Sequence, residues 1–129
     1  MRDRPTAADL LDIAREVLQQ KILPALPAAL RYDGLMIVNA LANAQREIER
    51  GAAPLGAELA RLAKLLGEAL SAPEADRLTE DLTRLNRRFA AEIRAGRFDG
   101  DAAAAEHLLT TALDAVRESN PKYLSDREL

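Results

Sequence analysis

Residues 32–50, YDGLMIVNALANAQREIER, constrain this chain most. Wound as a helix, the stretch is apolar on nearly every side until Gln45, through Leu35, Met36, Ile37, Val38, Ala40, Leu41, Ala42, Ala44 and Ile48. A helix of that kind needs neighbours around it. The run is too short to span a bilayer and is broken by Asn39 and Asn43, so it predicts the central helix of a water-exposed fold.

The neighbours are amphipathic helices. Thr6 and Asp9 form a capping-box pattern, and Leu10, Ala14, Val17 and Leu18 recur at helical spacing over about 7–20. Pro24 and Pro27 in KILPALPAAL predict an extended or short 3₁₀ connection packed on the core. Gly34 is placed for the close approach of another backbone, and Gly51 for closing the central helix. Pro54 opens a third helix with a stripe of Leu55, Leu59, Leu62, Leu66 and Leu70. Ser71 and Glu74 cap a fourth, about 73–95, with Leu78, Leu82, Leu85, Phe89 and Ile93 inward. A fifth, about 102–119, turns Leu109, Ala112, Leu113 and Val116 inward and stops at Asn120-Pro121. Nothing alternates with a period of two. The expected fold is all-α: about five helices in an antiparallel, up-down bundle, one domain over 1–129 with tails at 1–5 and 122–129.

Composition removes several chemistries. No cysteine is present, which excludes disulfides, thiolate catalysis and Cys-based metal sites, and makes the cytoplasm the expected location. The net charge of −3 gives no basic field for nucleic acid. The arginines at 84, 87, 88, 94 and 97 read as a solvated helix face, with Glu80–Arg84 and Glu92–Arg88 as one-turn ion pairs. The N-terminus lacks the apolar run of a signal peptide. No phosphate loop, dinucleotide fingerprint or nucleophile elbow occurs. His107 is the single histidine and has no second ligand or nucleophile in its pattern, so it reads as a boundary residue with one hydrogen bond. No catalytic, cofactor-binding or metal-ligating residue is assigned.

One polar feature stands out. Tyr32, Asn39, Asn43, Arg46 and Arg50 fall on one face of the central helix. Asparagine is costly to bury without a partner. The stripe therefore reads as a register or two-fold contact, or as the wall of a small polar cavity. Tyr32, Asn39, Asn43 and Arg46 are the ligand or interface candidates.

Four segments together, RPTAADLLDIAREVL, LPALPAALRYDGLMIVNALANAQRE, LNRRFAAEIRAGRFD and NPKYL, resemble a small uncharacterised bacterial family, a domain of unknown function. The resemblance implies an all-helical stand-alone domain found beside aminoglycoside-phosphotransferase-like kinases and acyl-CoA dehydrogenases. It brings no catalytic residue with it. Three functional expectations follow. The first is a non-enzymatic interaction module on such a partner enzyme, with a homodimer also compatible. The second is a binder of an acyl, CoA-like or carboxylate ligand at the polar stripe. The third is an enzyme built on carboxylates and His107.

Overall fold

Thr6 starts the first helix as its chemistry predicts. Its hydroxyl accepts from the Asp9 N–H, and the Asp9 carboxylate accepts from the Thr6 N–H at 2.9 Å. Two orphan donors of the first turn are thereby satisfied. The structure, a computed structural model, describes residues 4–70 and 77–125. Every regular element among them is helical: α1 Ala7–Val17, α2 Arg31–Arg50, α3 Ala53–Leu66, α4 Leu78–Arg94, α5 Ala102–Ser119 and the single turn α6 Lys122–Ser125. The all-α class predicted by the patterning is what forms, with helices packed on one another. The capping pattern read at residues 71–74 lies outside the described residues. The chain divides into two compact units, Met1–Gly51 and Ala52–Leu129.

In the first unit α1 packs on α2. Between them the chain runs through a π-helical turn, Leu18–Ile22, and two 3₁₀ turns, Leu23–Ala25 and Ala28–Leu30. This is the short helical connection that the prolines predict. Leu23 and Leu26 fold down onto Gly34, where a Cβ would stand 2.6 and 2.8 Å from their Cδ1 atoms. The close approach read at Gly34 is thus made by two leucine side chains and not by another backbone.

The enclosure expected for α2 does not arise within this unit. Only Gly34 and Val38 are buried, while Leu35, Met36 and Ile37 stay about half exposed. One α-helical neighbour covers one face, roughly a third of a helix circumference, and an all-round apolar surface needs more. On α1 the outcome is similar: Leu10 and Ile13 are more than half exposed, and Leu11, Arg15 and Leu18 lie on the half-buried side.

The well-packed core belongs to the second unit. Leu59, Leu62, Ala63 and Leu66 of α3 meet Leu78, Leu82, Leu85 and Phe89 of α4, with Ala104 of α5 against them. The four-residue and three-residue spacings put each set on one stripe. The predicted α3 stripe is shorter at both ends. Leu55 is 42% exposed, and α3 stops before Leu70 because Gly67 takes φ +65°, ψ +29°. There the Glu68 N–H reaches the Ala63 carbonyl at 2.9 Å, which closes the helix with a left-handed cap. Leu70 still packs on the cluster from outside the helix.

Helix α5 is turned from the predicted setting. Ala104 and His107 are buried, whereas Leu109 is 61% exposed and Ala112 is exposed as well. The small Ala104 side chain allows a close approach, and the His107 ring stands edge-on to Phe89. Asp101 caps this helix by accepting from the Ala104 N–H at 3.0 Å.

The arginine face does more than meet water. Arg88 donates to the Leu66 carbonyl at 3.2 Å, to Glu68 at 3.1 Å and to Glu92 at 3.0 Å. It satisfies a C-terminal carbonyl of α3 from the next helix. Arg84 pairs with Glu68 at 2.7 Å and with Asp81, one position from the predicted Glu80. The hydrogen bond from Arg84 holds the Glu68 carboxyl below its ordinary value. Exposed pairs of this kind are screened by solvent and add little to stability.

Candidate functional site

The predicted polar stripe separates into two parts. Asn43 and Arg46 are half-buried, and the Arg46 guanidinium donates to the Asn43 side-chain oxygen. Tyr32 is 70% exposed, and Asn39 is exposed beside it. The spacing of three residues that puts Asn43 and Arg46 one turn apart also lets them satisfy each other.

A second polar cluster lies in the Ala52–Leu129 unit, where α3 faces the start of α5. Here a cavity of about 420 Å³ is lined by Arg61, Lys64 and Leu65 of α3, the cap residue Asp101, and Ala103, Glu106 and His107 of α5. His107 is 3% exposed, with its ring 5.4 Å from that of Phe89 at an angle of 87°. It is therefore a core residue and not the boundary residue read from the sequence. Among the described residues its Nδ1 finds no hydrogen-bond partner, nor do Nε and Nη2 of Arg61, nor Oγ1 of Thr111, one turn beyond His107 on α5. Unpaired buried polar atoms are uncommon, because each costs roughly 1–3 kcal/mol.

Sequence reasoning missed this site because it sought partners for His107 on its own helix. The partner groups come from α3, more than forty residues away in the chain. A usable signal did exist. Ala104, His107 and Thr111 share a stripe at spacings of three and four, on the side of α5 nearly opposite the predicted stripe, and a rotation of the helix by almost half a turn brings it inward.

Burial pushes the His107 imidazole below its ordinary value of 6.5, and the Arg61 charge pushes the same way. Glu58 opposes both. The folded protein therefore favours neutral His107, while the unfolded chain takes up a proton near pH 6.5. Stability is fully present above that pH and falls as the pH drops below it toward the folded value. We expect the urea midpoint to decrease between pH 7 and 5.5, and His107→Leu to flatten that segment. An identical slope in wild type and variant would contradict the assignment.

Among the described residues, no group of three or more His, Cys, Asp or Glu side chains is placed to hold a metal ion. No helix among them is long and apolar enough to cross a membrane.

Comparison with curated proteins and with solved structures finds no match. A family model does match, over residues 24–123, from the proline-bearing turns to the start of α6. The chain belongs to that family, described as a domain of unknown function, DUF6285.

Proposed function

We propose that this chain is a non-enzymatic interaction module that docks on a partner enzyme through the apolar surface of the α1–α2 pair. One observation carries the reading. Ten large apolar side chains in the Met1–Gly51 unit are at least 40% exposed, among them Leu10, Ile13, Val17, Met36, Ile37 and Ile48. Eight of the ten lie on α1 and α2, enough to furnish much of the roughly 800 Å² that one partner contributes to a standard-size interface. A single folded chain seldom exposes an apolar surface of that extent without a use for it. The spacing supports docking by a helix or a helix-lined groove: Ile37, Leu41, Ala44 and Ile48 follow a 4-3-4 stripe along α2.

The partner class comes from the sequence resemblance: a phosphotransferase-like kinase, with an acyl-CoA dehydrogenase as the other candidate. The test is size-exclusion chromatography and calorimetry of the purified chain with each enzyme from the same source. A complex at micromolar concentration is expected with one of them. Ile37→Glu puts a charge on a residue that is 51% exposed. It should leave the helical signal and the melting curve nearly unchanged, within about 0.5 kcal/mol. It should also weaken the complex by at least tenfold. Absence of any complex, or indifference to Ile37→Glu, would overturn the docking reading. So would a stable homodimer that occupies this surface.

A further inference from the structure

We propose that the cleft between α3 and the start of α5 is a binding site for a small monoanionic carboxylate, held by the Arg61 fork and bounded by His107. The inference is independent of the docking surface, which lies on other helices.

The unpaired donors of Arg61 are the first support. Nε and Nη2 lie on the same edge of the guanidinium, and that edge presents two parallel N–H bonds. It matches the two oxygens of a carboxylate in a bidentate pair. Neither nitrogen meets an acceptor among the described residues, although both are shut off from solvent. Arg61 as a whole is half-buried and lines the cavity, so the proposed site requires its fork to turn into that space when the ligand binds.

His107 is the second support. Its side chain is almost fully buried, lines the same cavity and leaves Nδ1 unpaired. Thr111 Oγ1 adds another unpaired atom one turn along α5. Three of these unpaired atoms belong to Arg61 and His107, which line one cavity, and the fourth lies one turn beyond His107 on α5. A bound molecule that accepts from Arg61 and reaches His107 would satisfy most of them.

Size and charge narrow the ligand. A cavity of about 420 Å³ lies within the range of small-molecule sites. Leu65 and Ala103 give it an apolar wall, which suits a short hydrocarbon chain. Arg61 and Lys64 supply two positive charges, and Asp101 and Glu106 supply two negative ones. Asp101 is already engaged as the α5 cap, but its charge remains. That balance accepts one negative charge and works against a dianion. A carboxylate therefore fits better than a phosphate.

The probes are acetate, butyrate and hexanoate, with inorganic phosphate as the competing oxyanion and chloride as the ionic-strength control. Binding is read by calorimetry and by perturbation of the His107 ring signals in NMR spectra of the full chain. Saturable carboxylate binding is expected, stronger for the longer chains, with the His107 ring shifted. Arg61→Gln should weaken it at least tenfold. Arg61→Lys keeps the charge and loses the fork, so it should also weaken it. Arg97→Gln, far along the chain from the cleft, should leave it unchanged. Melting curves of each variant establish that it is folded. Three results would overturn the proposal: no saturable carboxylate binding, phosphate binding more tightly than any carboxylate, or carboxylate binding that folded Arg61→Gln retains.

Discussion

Phe89→Ala should lower the stability of the Ala52–Leu129 unit by about 3–5 kcal/mol, the range for removing a buried aromatic ring. Phe89 is 3% exposed and joins three elements. It sits on α4, meets Phe98 in the following turn at 5.0 Å and 66°, and meets His107 of α5 at 5.4 Å and 87°. Edge-to-face pairs of this kind add about 0.5–1.5 kcal/mol beyond burial. Truncation also leaves a void that Leu and Ala neighbours fill only in part. Domains of this size are stable by only about 5–15 kcal/mol, so the loss is a large share of the total. Urea denaturation followed by circular dichroism measures it. Phe89→Leu should recover more than half the loss, since it returns most of the volume and none of the ring geometry. A change below about 1 kcal/mol for Phe89→Ala would show that α5 does not depend on this ring.

Leu85→Ala should cost about 2–5 kcal/mol. Leu85 and Leu62 are both fully buried and occupy the seam between α4 and α3. With Leu59 and Leu66 they form a tight stripe that has little room to collapse around a missing side chain. The informative comparison is Leu109→Ala on α5. The sequence pattern alone places Leu109 in the core, whereas the structure leaves it 61% exposed. Its truncation should cost less than about 1 kcal/mol, as for other exposed sites. Equal losses at positions 85 and 109 would mean that α5 is turned the other way.

That comparison shows which parts of the fold are legible in the chain. The helices are, because caps and periodicity are local: Thr6, Asp101 and the 4-3-4 leucine stripes act within a turn or two of themselves. The setting of each helix about its own axis is less so. For α5, both an Ala104–His107–Thr111 face and a Leu109–Leu113–Val116 face are available at helical spacing. The choice depends on Phe89, which lies on another helix. For α2, all-round apolarity predicts a need for neighbours without saying how many the unit supplies. The cleft was the least legible feature. Arg61 looks like an ordinary outward arginine until α5 folds against it, and no local motif signals that its fork will go unpaired. Of the predicted stripe, the Asn43–Arg46 contact follows from spacing alone.

The uneven packing of the two units has a consequence for how variation is tolerated. In residues 4–51 a single large side chain, Val38, is buried, at 8% exposure, whereas α3 and α4 hold seven between 0 and 7%. Changes in the second unit are therefore screened at the level of folding, before any partner is met. Changes in the first leave the scaffold standing and register as gain or loss of affinity, so recognition can drift there while the architecture stays put.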